Sequence, residues 1–442
     1  MKQIRNELPQ SSEFVKNKNV LNSYFPIRTK DGPGVFDWDA VTGYVIKFIY
    51  KKEIALSGID EFKNKCEVDF INKLDNKLFW TYLEKMYFRD GGLFKISPEF
   101  LIFKTFQIKG NKPNVRLSEM FSSLLQGESI NDAPKASLNF LEESINNVLI
   151  SFLKNTDKNK LDACNEEPYL PFLTSVIQND IGFLSKHPKY FLSVLGQFLR
   201  LYAYLYTSQL ALNIGGWREG EPSSKPLYFI LDFETASAER THIRDNGHQR
   251  VHKSLYKIFP YLAMSESIQN PKLKRQPIWK LVEESSDESY DNLKGFAEAF
   301  KQERKLTYHI SDTGSVIDII GDLLNLGMAQ FSREQSQHGT RPDINNSYVK
   351  AIESELCNHF IQSRGRSGKI LVINQDYLML LTNISIGHND QLRFHELLAE
   401  FKKRGVYFDK KSQQALIQFY ERIGNVERMS DSGDAVYVRK AI

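Results

Sequence analysis

Apolar residues recur three and four positions apart along most of this chain, the spacing of helices that bury one face. NKLFWTYLEKMYF, SPEFLIFKTFQI, RLSEMFSSLLQG and ASLNFLEESINNVLISFLKN all carry it. The last reads as about five turns, opened by the region of Pro134. The stretch from Tyr190 to Trp217, YFLSVLGQFLRLYAYLYTSQLALNIGGW, is apolar on nearly every face. It is long enough to span a bilayer, but Gln197, Arg200 and Gln209 interrupt it, and an arginine near the bilayer centre is costly. It is read as a buried helix closed by Gly215-Gly216, the spine of a helical domain, with no membrane involved. TGSVIDIIGDLLNLGMAQFS, from Thr313 to Ser332, is expected to be a second buried helix. KRQPIWKLVEESSDESYDNLKGFAEAFKQERK is expected to be helical after a break at Pro277.

Other segments break this rhythm. Near the start, GPGVFDWDAVTGYVIKFIYKK predicts a short helix or strand after the Gly32-Pro33-Gly34 turn. WREGEPSSKP is a connector, followed by the apolar run LYFILDFE, Leu227 to Glu234, which ends in two acids. A helix is expected from Thr235 and Ser237 onward. SREQSQHGTRPDINNS reads as an exposed loop, and NNSYVKAIESELCNHFIQSRGRSGK as a helix leading into a basic, glycine-containing loop.

The last fifty residues are the most legible. RFHELLAEFKKRG is an amphipathic helix closed by Gly405, and a short link, VYF, leads to Asp409, which caps KKSQQALIQFYERIG, closed by Gly424. Two extended runs, NVERM and AVYVRK, flank the turn Ser430-Asp431-Ser432-Gly433-Asp434. Helix, helix, hairpin is the order of a winged helix-turn-helix, which commonly lays its second helix in the major groove of DNA. The expected fold is therefore mainly α, a multi-domain helical body with a small mixed central region and a C-terminal winged helix-turn-helix. The expected divisions are 1–70, an N-terminal mixed α/β segment; 71–217, a helical domain; 218–340, a central mostly helical domain; and 341–442, a C-terminal winged-helix domain.

Composition narrows this picture little. At 442 residues, with 41% hydrophobic and 25% charged content, the chain has the profile of a soluble globular protein of about two or three domains. A net charge of +4 is too small to draw nucleic acid globally, so any DNA surface must be a local patch. Cys66, Cys164 and Cys357 are too far apart for a disulfide framework or a zinc signature, which points to a reducing cytoplasm. MKQIRNELPQSSEF has no apolar stretch, so no secretory signal is expected.

The chemistry begins with exclusions. There is no G-x-x-x-x-G-K-[ST] loop, since Ser363 to Lys369 (SRGRSGK) has the wrong glycine spacing, so no ATP hydrolysis is expected of this chain alone. H-E-x-x-H, paired C-x-x-C and G-x-S-x-G are also absent. Asp232 and Glu234, a D-x-E ending an apolar run, resemble the first motif of exonucleases that hold two metal ions, and His338 and Asp343 mimic that family's later His and Asp. Against this, the sequence after Glu234 reads as a charged helix, His338 falls in a loop, and no middle aspartate motif follows. In the competing reading Asp232 and Glu234 cap a helix or pair with Arg240 and Arg244. His242, His248 and His252 lie among Arg244 and Arg250 with no neighbouring carboxylate or thiol in sequence to complete a metal set. They are read as a solvated basic helix which, with Lys253 and Lys257, is able to meet phosphates. No metal or cofactor is expected.

Two basic groups point to duplex DNA. Arg364, Arg366 and Lys369 lie in a glycine-flexible loop suited to a phosphate backbone. Lys402, Lys403, Arg404, Lys410 and Lys411 flank the turn between the terminal helices. The second helix then offers Ser412, Gln413, Gln414 and Gln418 as an outward polar face and Leu416, Ile417, Phe419 and Tyr420 for packing. Asp431 and Asp434 at the hairpin tip act against DNA contact, and units of this kind also dock proteins.

RGVYFDKKSQQALIQFYERIGNVERMSDSGDAVYVR, together with LYFILDFETASAER at 227–240, resembles the G subunit of DNA phosphorothioation-dependent restriction systems, the DptG (DndG) family. The shared features are Arg404-Gly405 and Asp409 before the last helix, Ser430 to Val438 near the end, and Tyr228 to Glu234 in mid-chain, with Phe233 in place of a tryptophan. The resemblance implies a bacterial cytoplasmic defence protein acting with an F-type and an H-type subunit, both resembling P-loop ATPases, to restrict DNA lacking the sulfur modification. It attaches no catalytic role to these motifs. A metal-dependent nuclease using Asp232 and Glu234, and a pure protein scaffold, are the alternatives.

Overall fold

The computed structural model describes residues 3–15, 24–28, 35–74, 77–106, 112–126, 137–156, 166–235, 240–335, 340–429 and 435–442. The first third is helical with two short strands: α1 (Trp38–Tyr50), β1 (Lys52–Ile54), α2 (Ile59–Leu74), α3 (Lys77–Leu83), α4 (Lys112–Leu124), α5 (Phe140–Phe152) and β2 (Leu153–Asn155). Asp37 fixes the start of α1 by accepting hydrogen bonds from the N–H groups of Asp39 and Ala40. The helical expectation for the next segments needs refinement. NKLFWTYLEKMYF leaves α-geometry for a wider π turn over Glu84–Arg89, and SPEFLIFKTFQI winds as a 3₁₀ helix over Pro98–Thr105. Phe100, Leu101, Ile102 and Phe103 are all buried, so four successive apolar residues find core contacts there and a single buried stripe does not suffice. The expected five-turn helix is shorter. It opens at Asn139, where a capping box with Glu142 sets the first turn, and ends at Phe152 because Leu153–Asn155 pairs antiparallel with β1. Pro134 lies outside the described residues, as do the Gly32-Pro33-Gly34 turn and Cys164.

The middle of the chain forms α6 (Pro171–Ser185), α7 (Pro188–Asn213), β3 (Leu227–Leu231), α8 (Thr241–Asp245), α9 (His248–Leu255), α10 (Ile258–Ile268), α11 (Ile278–Glu283), α12 (Tyr290–Arg304) and α13 (Val316–Ala329). The apolar Tyr190–Trp217 segment is indeed the spine: α7 is buried along most of its length and passes at Ile214 into a short 3₁₀ stretch. Two of the polar residues that interrupt it have internal partners. Gln209 exchanges two 2.9 Å hydrogen bonds with the backbone of Lys225, seating the connector just before β3, and the Arg200 guanidinium lies 4.5 Å from the centre of the Trp38 ring. No helix among the described residues is long and apolar enough to cross a membrane.

The last hundred residues form α14 (Arg341–Glu355), β4 (Ile361–Ser363), β5 (Lys369–Ile373), α15 (Gln375–Ile386), β6 (Gln391–Arg393), α16 (Phe394–Lys403), β7 (Val406–Phe408), α17 (Lys410–Arg422), β8 (Val426–Met429) and β9 (Ala435–Arg439). A central four-stranded sheet runs β4-β5-β3-β7, with β3 parallel to β5 and β7 and β4 antiparallel to β5. Parallel strands need cover on both faces, and β3 supplies it by alternation. Leu227, Phe229 and Leu231 enter the main core beside α7, while Tyr228 and Ile230 join Ile243, Ile370 and Val372 on the opposite face. The main core is one continuous cluster that includes residues from Ile4 to Val438.

VYF, expected to be a link, is strand β7. It pairs with β3 in the register Leu227↔Val406, Tyr228↔Tyr407 and Phe229↔Phe408. A second sheet, ordered β6-β9-β8, is antiparallel throughout and closes the C-terminal helices. The two extended runs expected at the end of the chain are β8 and β9. The turn between them, with Asp431 and Asp434, lies outside the described residues.

Candidate nucleic-acid interface

The carboxyl ends of β3 and β7 meet at a buried ionic cluster. Arg240 is its centre. It donates to Glu234 at 2.8 Å, to Asp409 at 2.8 and 2.5 Å, and to the Ser412 hydroxyl at 2.6 Å. Glu234 also accepts the Leu231 N–H at 2.8 Å and the Ser412 hydroxyl at 3.1 Å. Asp409 caps α17 by accepting the Ser412 N–H at 2.9 Å. Burial favours a neutral Asp409, yet Arg240 and that N–H hold its carboxyl below the usual value.

This arrangement decides how the D-x-E motif is used. Both oxygens of Glu234 are committed within the fold, with an arginine filling the space a divalent ion would need. The pairing of Glu234 with Arg240 is as expected; Arg244 instead meets Asp245. The backbone carbonyl of Asp232 accepts a 2.6 Å hydrogen bond from Arg364, and its Oδ1 is buried without a partner. His338 lies outside the described residues, and Asp343, in the first turn of α14, faces Arg333 at 3.1 Å.

The basic residues singled out for DNA separate into free and committed groups. Arg404 is buried, at 3% exposure, and forms a two-point ion pair with Asp180 of α6 at 3.0 and 2.5 Å. It is a structural cation and no phosphate ligand, because its charge is already compensated out of water. Arg364 is likewise turned inward to Asp232, which removes it from the expected contact loop. Lys369 meets Glu353 at 2.8 Å, and Lys403 meets Glu400 at 2.5 Å, both from exposed positions. The backbone of Arg366 sits in a single turn, Gly365–Ser367; its side chain lies outside the described residues. Lys402, Lys410 and Lys411 are exposed and make no ion pair among the described residues.

On α17, Ser412 is fully buried, contrary to the expected outward face, and Gln413 donates back to the Phe408 carbonyl at 2.8 Å. Gln414 and Gln418 remain exposed, while Leu416, Phe419 and Tyr420 are buried. Lys411, Gln414 and Gln418 follow helical spacing and form one solvent-facing stripe with Lys410 at its start. The helix end is less available to an anion than its sequence suggests, because Asp409 occupies it. Beside the stripe, Phe233 is 45% exposed and stacks on Phe419 at 6.2 Å, with Arg422 over both rings. On α16 and the neighbouring strands, Lys402 lies over Tyr407, which packs on Tyr228, which stacks on His242 at 5.3 Å.

A second cluster was not legible in the sequence. His248 Nε2 and His252 Nδ1 lie 2.7 and 2.8 Å from the same Glu353 oxygen. His248 is buried against the core with Val251 and Leu255, so α9 is an amphipathic packing helix rather than the expected solvated one; Lys253 is exposed on it, and Lys257 is exposed just beyond it, at the start of α10. Glu353 comes from α14, about a hundred residues later. The only sequence signal was the four-residue histidine spacing. The two imidazoles and Lys369 draw the Glu353 carboxyl well below its usual value, against the effect of its burial.

Compared with protein-family models the chain matches none, and no curated protein matches it.

Proposed function

We propose that this chain is a non-catalytic subunit of a phosphorothioation-dependent DNA restriction complex, and that its C-terminal region is a winged helix resting on duplex DNA. The order α15, β6, α16, β7, α17, β8, β9, with the small sheet paired β6-β9-β8 and β7 lent to the central sheet, supports reading this region as a winged helix. The observation that carries the DNA contact is the exposed stripe of Lys410, Lys411, Gln414 and Gln418 on α17. Lysines without internal partners serve phosphates, and amides at helical spacing suit base edges. The motifs at 227–240 and 404–438 supply the assignment to restriction, and with it the F-type and H-type ATPase subunits as partners. Nothing in the cluster around Arg240 favours the nuclease reading, because its carboxylates already neutralise an arginine.

The test is a fluorescence-anisotropy titration of the full chain on modified and unmodified duplexes at two salt concentrations. Each lost phosphate contact flattens the dependence of log K on log salt by about 0.9. K410A/K411A is expected to weaken binding about tenfold and to reduce that slope by about two. Unchanged affinity and slope would leave the region as a protein-docking module, measured next as association with the partner ATPases.

A further inference from the structure

We infer that His248, His252 and Glu353 form a site for one divalent transition ion of the Zn²⁺ type, joining α9 to α14. The two histidines stand four residues apart on one helix, which places both rings on the same side. Their nitrogens converge on a single carboxylate oxygen at 2.7 and 2.8 Å, and the three ligand atoms lie within 4.8 Å of one another. A tetrahedral ion with bonds of about 2.0–2.1 Å wants its ligands about 3.3 Å apart. The carboxylate needs to retreat by only about half an ångström to admit it.

The donor set selects the class of ion. Two imidazoles and one carboxylate suit zinc and its neighbours, whereas Mg²⁺ and Ca²⁺ require mostly oxygen. Lys369 holds the second Glu353 oxygen at 2.8 Å, so the carboxylate offers one oxygen to the ion and keeps a fixed orientation. The lysine side chain is half exposed, so solvent screens the repulsion between its charge and the ion. His248 is buried and Glu353 nearly so, while His252 is 38% exposed and marks the open side, where water completes the coordination. In a hydrolytic zinc helix the residue after the first histidine is a glutamate acting as general base. Here it is Gln249, which cannot accept a proton. The site therefore binds an ion without that hydrolytic machinery, and its effect is to clamp α14, and through Lys369 the start of β5, onto α9.

The experiment is calorimetric titration of chelator-treated full chain with Zn²⁺ and, separately, with Mg²⁺, followed by the visible spectrum of the Co²⁺ form. One Zn²⁺ per chain, no Mg²⁺ binding and a four-coordinate Co²⁺ spectrum are expected. Outer partners of a metal site alone are worth about 10–100-fold in affinity, so losing a ligand should cost at least about 100-fold. H252A and E353Q should show that loss and H395A should not, since His395 is exposed on α16. Because His248 and Lys369 still hold Glu353, H252A is expected to stay folded, with a metal-free denaturation midpoint only slightly below that of the wild type. Absence of saturable Zn²⁺ binding, or Zn²⁺ affinity unchanged in H252A, would overturn the site.

Discussion

Arg404 and Asp180, separated by 224 residues in sequence, form a two-point ion pair that is almost wholly out of water. The Tyr202 hydroxyl of α7 donates to the same carboxylate, so three elements, α6, α7 and the end of α16, converge on one charge. Burial opposes the charge on Arg404, but Asp180, Tyr202 and Glu400 hold its guanidinium above the usual value.

Breaking that pair should be costly. R404M is expected to lower unfolding stability by about 3–5 kcal/mol, because Asp180 is left as an uncompensated buried charge. The double variant D180N/R404M should recover most of the loss. Urea denaturation of both reads this directly, and equal losses in single and double variants would contradict it.

The two glycines that close α16 and α17 should differ. Gly405 has φ +82°, and a Cβ there would stand 2.1 Å from Gln209 Nε2, the amide that seats the connector. Gly424 has φ +76° but open space around it. G424A should cost about 1 kcal/mol from backbone conformation alone, and G405A more than about 2 kcal/mol. Chemical denaturation of the pair checks the difference.

Acid should act on Glu353. Its folded pKa is depressed from 4.5, so its contribution is complete above about that pH and is lost as pH falls toward the depressed value. Wild-type stability, measured with chelator present, should therefore fall more steeply below pH 4.5 than that of E353Q. Parallel pH profiles would show that Glu353 has no such role.

The cluster around Arg240 should matter to folding and not to strand cleavage. E234Q replaces the carboxylate facing a guanidinium that is 7% exposed and is expected to destabilise by about 2–4 kcal/mol. Incubating the wild-type chain with duplex and Mg²⁺ should yield no cleavage, and D232A should leave that result unchanged. Mg²⁺-dependent nicking abolished by D232A would restore the nuclease reading.

Periodicity and caps made much of the fold readable. α7, α13, the Asp409 cap, both terminal glycines and the β8–β9 strands follow from local chemistry that tertiary contacts do not override. Strand β7 was hidden because three residues are too few to display alternation, and its partner β3 lies far away in sequence. Arg404 is opaque for a similar reason: after two lysines it looks like another solvated cation, and only the fold brings Asp180 to it. Glu353 could not be matched to the histidines because sequence distance carries no sign of their proximity.

The strand that replaces the expected link ties the last helices to the rest of the molecule. Because β7 completes the sheet beside β3, this end of the protein cannot swing as a tethered arm, and α17 is tied through Ser412 to Phe229 of β3 and to Glu234 just beyond it. Cutting the chain at residue 390 would strip β3 of a neighbour and leave a raw, sticky edge. Loss of partner association in such a truncation would then report a damaged sheet, which is why point changes on the surface of α17 are the sounder probe.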